Sequence, residues 1–154
     1  MIHLLSQREE LKKPDPDLIC GILSLIAHLY DRWGRMDQAA EYYQKALKIA
    51  DQGNFQNSDK VATIKNNLAM IFKQLRDFKK AEQYYEEALA SFQLSDGEQS
   101  ARVASVLNNL GVLHYTNMDV ERAQQTHERA LGIRQNLSDD QMDPSDLSQT
   151  YINL

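Results

Sequence analysis

The sequence predicts an all-α solenoid of antiparallel helix pairs, on three observations. Similar segments recur every 42 residues, at Ser24-Leu25-Ile26-Ala27, Asn66-Asn67-Leu68-Ala69 and Asn108-Asn109-Leu110-Gly111, and self-similarity at such a period is the signature of a repeat architecture. Within one period the apolar residues follow helical spacing: Val61, Ile64, Leu68, Ile71 and Phe72, then Ala81, Tyr84, Tyr85, Ala88, Leu89 and Phe92. Turn formers are scarce, with 6 Gly and 3 Pro in 154 residues, too few for the closely spaced turns of an all-β sandwich or barrel.

The elements follow in order. Residues 1–14 carry Leu4, Leu5 and Leu11 and read as an N-terminal helical segment, the end of a preceding repeat. Unit 1, residues 15–56, starts at Asp15-Pro16, a side-chain N-cap followed by proline at the first helical position, and breaks between its two helices at Trp33-Gly34-Arg35. Unit 2, residues 57–94, breaks at Arg76-Asp77. Unit 3, residues 95–142, opens on Ser95-Asp96-Gly97-Glu98, which has capping-box spacing, and breaks at Asn117-Met118-Asp119. Residues 143–154 repeat the start signal at Asp143-Pro144, and Tyr151-Ile152-Asn153-Leu154 matches Leu107-Asn108-Asn109-Leu110, giving the first helix of an incomplete fourth unit. The second helices keep the same register: Ala39, Tyr43 and Ala46 correspond to Ala81, Tyr85 and Ala88, then to Ala123, His127 and Ala130. Small residues at these places let two helices approach closely.

Composition narrows the function. Seventeen Lys and Arg against 22 Asp and Glu give a formal charge of −5, so no domain-wide basic surface exists for nucleic acid. The apolar run from Leu18 to Ala27 is too short to cross a bilayer, and the N-terminus lacks the basic start and sustained apolar stretch of a secretory signal, so no membrane contact and a cytoplasmic location are expected. A single cysteine, Cys20, excludes an internal disulfide.

Chemistry is sparse. No phosphate-cradling Gly-rich loop, His-Glu-x-x-His or Cys-x-x-Cys occurs. His127-Glu128 begins like a zinc motif, but Leu131 stands where the second histidine belongs. His114 and His127 fall on the two helices of one unit and are read as replacing aromatic rings in packing rather than as metal ligands. Glu82, Glu86 and Glu87 follow a solvated helix face beside Lys79 and Lys80 and are read as surface charge rather than a general acid–base pair. No cofactor, metal or catalytic residue is expected.

The pattern of a small residue and a three-residue step to an aromatic, then Ala-x3-aromatic-x2-Ala, resembles the tetratricopeptide repeat. That family usually has a period of about 34 residues. At 42, with Asn-Asn-Leu-Ala or Asn-Asn-Leu-Gly opening a unit and Glu128-Arg129-Ala130-Leu131-Gly132-Ile133-Arg134 closing one, the chain is most similar to the longer repeats of kinesin light chains and related bacterial scaffolds. The resemblance implies a right-handed superhelical solenoid of three full repeats plus partial flanking helices, working as a non-catalytic protein-interaction module.

In such a solenoid the first helix of each unit lines the concave surface. Once the packing stripe is assigned, unit 2 offers Asn66, Asn67, Met70 and Lys73 to that surface, and unit 3 offers Ser105, Asn108, Asn109, Val112 and Tyr115. A carboxamide both donates and accepts, so a row of them suits the backbone of an extended peptide. The resemblance assigns ligand-backbone contact to the second Asn of each pair, Asn67, Asn109 and, in the fourth unit, Asn153. The Lys/Arg clamp with which chaperone-binding members hold a C-terminal carboxylate is missing, since only Lys73 and Arg32 approach that face. A protein or peptide ligand in the groove is therefore expected. Two alternatives stay open: the Asn rows tie one repeat to the next, or the array is a structural spacer or self-association element, with homo-association through exposed terminal repeat surfaces.

Overall fold

The computed structural model describes residues 15–54 and 59–137. It holds six helices and, among the described residues, no strand: α1 (Pro16–Arg32), α2 (Met36–Gln52), α3 (Asp59–Gln74), α4 (Phe78–Asp96), α5 (Ala101–Thr116) and α6 (Val120–Asn136). Consecutive helices pair as α1/α2, α3/α4 and α5/α6, the three units, and each unit packs on the next through α2 against α3 and α4 against α5. The expected 1–14 segment, Asp143-Pro144 and the fourth-unit helix lie outside the described residues.

The turn inside each unit is built the same way three times. Gly34, Arg76 and Met118, spaced by one period, all have positive φ, at 72°, 63° and 66°. The following amide reaches back five residues, Arg35 to the Tyr30 carbonyl, Asp77 to Phe72 and Asp119 to His114, each at 2.9 Å. This is the left-handed helix termination that satisfies the last carbonyls of the first helix. Two of the three second helices then start on a side-chain cap: Asp77 accepts from the Lys80 amide and Asp119 from the Arg122 amide, both at 3.2 Å. Arg35 leaves α2 without one.

Asp15 caps α1 as its sequence predicts, accepting from the Asp17 amide at 3.0 Å, with Pro16 in the first turn. The start of unit 3 differs from expectation. Ser95 and Asp96 are the last residues of α4, Gly97 ends that helix with φ 84°, and the cap of α5 is Ser100, whose hydroxyl accepts from the Val103 amide at 3.2 Å. Beside this junction Arg102 of α5 pairs with Asp96 at the end of α4.

The core is continuous through the units. Cys20, Ala27, Ala39, Ala46, Ala62, Ala69, Ala81, Ala88, Ala104 and Ala130 are fully or almost fully buried where helices cross, and Ile64, Leu68, Ile71, Val103, Val106 and Leu113 fill the space between. Deleting the methyl groups of such a core costs a few kcal/mol per large residue.

Candidate functional site

The first helices of the units lie side by side, tied by contacts that cross from one unit to the next. Lys60 on α3 pairs with Asp17 on α1 at 2.6 Å, Arg102 on α5 pairs with Asp59 on α3 at 2.9 Å, and the Asn109 amide donates to Asn66 Oδ1 at 3.2 Å. The exposed stripes of α1, α3 and α5 thus form one surface. Between α3 and α5 it is indented by a depression of about 300 Å³ lined by Thr63, Asn66, Phe92, Arg102, Ser105 and Val106.

The predicted site residues divide on this surface. Met70 and Tyr115 are exposed, and Asn66, Asn67, Lys73, Ser105, Asn109 and Val112 are half-buried. Burial holds the Lys73 ammonium below its usual pKa. Asn108 is corrected: it is buried inside unit 3, where the His127 Nδ1–H donates to its Oδ1 at 3.0 Å. The buried imidazole takes Asn108, which leaves Asn109 as the half-buried member of the pair. Asn153 lies outside the described residues.

Both remaining second-Asn positions also bind their neighbours. Asn67 is hydrogen-bonded to the Tyr43 hydroxyl, although burial is the larger influence on that phenol and pushes its pKa up. Asn109 holds Asn66. The carboxamides therefore join unit to unit and still present their remaining edges along the groove.

Three features escaped the sequence reading. Arg134 is buried and donates to the Ser105 hydroxyl at 3.2 Å, so a groove residue is held from behind by α6. The signal was positional: units 1 and 2 have Ala50 and Phe92 at that place. Glu82 and Glu87 are bridging ion-pair partners, Glu82 with Arg122 at 2.8 Å across to α6 and Glu87 with Lys65 at 2.9 Å across to α3. Burial raises the Glu87 carboxyl, but Lys65 and Gln83 outweigh it and leave it lowered. The third feature is the apolar exposed stripe of α1, with Leu18, Ile22, Leu25, Leu29 and Trp33 exposed.

His114 and His127 are both buried. Desolvation lowers both pKa values, helped at His114 by Arg122 and at His127 by His114. Among the described residues no group of three His, Cys, Asp or Glu is placed to hold a metal ion, and no helix is long and apolar enough to cross a membrane.

Known proteins share this architecture. A tetratricopeptide repeat family model matches residues 60–136 and a second one matches residues 21–52. The chain belongs to the tetratricopeptide repeat family. Its structure is similar to the crystal structure of BtubC (BKLC) from P. vanneervenii, at 72% sequence identity and a TM-score of 0.90 over 95% of this chain. The match covers 57% of that protein, so this chain spans little more than half its length. The N-terminal domain of stress-induced protein-1 (STI-1) from C. elegans shares the fold at 15% identity, with a TM-score of 0.66 over 92% of this chain and 98% of that domain. No curated protein sequence matches the chain.

Proposed function

We propose that the chain is a non-catalytic interaction module that takes an extended peptide or a helix of a partner protein along the exposed face of α1, α3 and α5. The observation that carries this reading is the chemistry left on that face after packing: the carboxamides of Asn66, Asn67 and Asn109, the flexible Met70, and the exposed ring of Tyr115. Carboxamides match peptide backbone groups in both directions, while Met and Tyr supply adaptable and rigid apolar area. The groove takes neutral chain better than a terminal carboxylate, because Lys60 is occupied by Asp17 and Arg102 by Asp59 and Asp96, and Lys73 by itself does not make a carboxylate clamp. The partner would act inside the cell, in keeping with the lone buried Cys20.

The spacer reading draws on one specific observation, the Asn109–Asn66 bond that joins units 2 and 3. The two readings separate on variants. With a peptide selected from a random display library on the full chain as probe, Met70→Ala/Tyr115→Ala is expected to weaken binding at least about tenfold, which corresponds to 1.4 kcal/mol. Neither side chain ties units together, so the melting temperature should hold. Unchanged affinity for every selected peptide would contradict the groove.

A further inference from the structure

The two junctions between units match in their main contacts and differ at one buried hydroxyl. The Asp17–Lys60 pair that joins α1 to α3 recurs one period later as Asp59–Arg102 between α3 and α5, and α2 packs on α3 as α4 packs on α5. In the first junction the buried Tyr43 of α2 is hydrogen-bonded through its hydroxyl to Asn67 of α3. Their counterparts one period on are Tyr85 of α4 and Asn109 of α5. Tyr85 is buried as deeply as Tyr43, 0% against 1% exposed, yet its hydroxyl has no hydrogen-bond partner among the described residues. The Asn109 amide is engaged elsewhere, donating to Asn66 Oδ1 at 3.2 Å. What differs is the residue beside it, because Ser24 holds in unit 1 the place that Asn66 holds in unit 2. The shorter Ser24 leaves Asn67 to its tyrosine, whereas Asn66 reaches across the junction and takes Asn109. A buried hydroxyl without a partner carries an uncompensated desolvation cost. The free protein thus joins two carboxamides at the expense of one hydroxyl.

We propose that Tyr85 is a positioning residue of the groove: when a peptide unit of the partner takes Asn66, Asn109 turns onto the Tyr85 hydroxyl, as Asn67 is already turned onto Tyr43. This rests on the groove reading and names what changes when the groove fills. A backbone N–H of the partner donates to Asn66 Oδ1 in place of the Asn109 amide, and the released amide donates to the Tyr85 oxygen. One hydrogen bond is exchanged for two, and the buried hydroxyl gains its partner. Only a side chain has to move, since the terminal torsion of Asn has a broad, shallow profile. The Asn66–Asn109 bond that the spacer reading draws on is then a latch, closed in the free chain and opened by the ligand. A specificity follows as well: the partner residue at this point must carry an N–H, so proline is rejected there.

Two measurements on the full chain test it. The first needs no ligand, because Asn66→Ser installs the residue of unit 1 and should release Asn109 to Tyr85 in the free protein. Tyr85→Phe is expected to leave the melting temperature unchanged or raised in the wild-type chain, and to lower it by about 2–4 °C in the Asn66→Ser background. The second uses a peptide selected from a random display library whose affinity falls with Met70→Ala/Tyr115→Ala. Tyr85→Phe should weaken that peptide about three- to tenfold, the worth of one hydrogen bond, in a variant no less stable than the wild type. A hydroxyl with a structural role alone would move stability and leave affinity untouched. The proposal is overturned by equal effects of Tyr85→Phe on melting in the two backgrounds, by a loss of stability from Tyr85→Phe alone, or by unchanged affinity for that peptide. Failure of the groove reading shows differently, as affinities indifferent to Met70→Ala/Tyr115→Ala, and overturns the latch by removing the ligand that opens it.

Discussion

At the place where unit 2 buries Tyr85, unit 3 buries His127, and where unit 2 stacks Phe72 on Tyr84 at 5.7 Å, unit 3 has His114 within 3.9 Å of Glu82. Phe92 of unit 2 becomes Arg134, held on Ser105. The turns, the small residues at helix crossings and the helix lengths stay nearly constant while aromatic volume is exchanged for hydrogen-bonded polar groups. The first Asn of each pair follows this exchange. In unit 3 Asn108 turns inward to His127, whereas in unit 2 Asn66 turns outward to Asn109 and the buried Tyr85 hydroxyl has no hydrogen-bond partner among the described residues. Across the two units the turns and small-residue positions are kept, while the first Asn turns to a buried imidazole in unit 3 and to the neighbouring unit's Asn109 in unit 2. The difference also makes unit 3 sensitive to protonation in a way unit 2 is not, because buried polar groups need their partners in one charge state.

The sharpest break of the comparison is at Gly111. A Cβ built there would stand 2.6 Å from the His127 ring, while unit 2 has Ala69 and Tyr85, both buried, at the corresponding positions. Gly111→Ala should cost about 1–3 kcal/mol in urea unfolding, and much less when His127→Tyr is made with it. Gly132→Ala meets nothing within 4 Å and should be neutral or stabilising by up to about 1 kcal/mol. Equal penalties for Gly111→Ala in both backgrounds would mean the imidazole does not set the spacing.

Acid should act next. His114 and His127 have folded pKa values lowered by burial, with Glu82, Asp119 and Glu86 opposing the shift at His114 and Arg122 adding to it. The unfolded chain therefore takes up these protons first, near pH 6.5. Stability is fully present above that value and falls as pH drops through it towards the lower folded values. Urea midpoints between pH 7.5 and 5 should decline, and His114→Phe/His127→Tyr, which imports the residues of unit 2, should flatten the decline. A slope unchanged in that variant would place the acid sensitivity elsewhere.

The two buried tyrosines should separate on losing their hydroxyls. Tyr43→Phe removes a bond to Asn67 and should cost about 0.5–1.5 kcal/mol, whereas Tyr85→Phe removes an unpartnered hydroxyl and should be neutral or stabilising. Thermal melts of the pair decide it, and equal losses would contradict the difference. The smallest effect is at the turn: Arg35→Asp should give α2 the cap that Asp77 and Asp119 give α4 and α6, a gain of about 0.5–1 kcal/mol in the melt.

Much of the fold was legible because its determinants are local. A turn at Gly34, Arg76 and Met118 and caps at Asp15, Asp77 and Asp119 are short-range signals that a 42-residue period repeats. At Ser95 two local signals competed, and the α5 cap fell to Ser100 after Gly97 ended α4. The groove was legible in outline, since helical spacing separates packing residues from free ones. What spacing could not decide was that Asn108 turns inward, because that rests on a hydrogen bond from His127, which is on the other helix of the unit. Nor did it find Arg134 behind Ser105, since an arginine near a helix C-terminus reads equally well as a surface charge.

The exposed face of α1, α3 and α5 is proposed to receive a partner's chain. Nuclear magnetic resonance of the full protein, titrated with a peptide selected on it from a random display library, addresses this directly. The side-chain amide signals of Asn66, Asn67 and Asn109 should move most, together with the Met70 methyl and the Tyr115 ring, while the buried Asn108 amide and the outer faces of α4 and α6 stay still. Shifts concentrated on α4 and α6, with the three carboxamides unmoved at saturation, would contradict it.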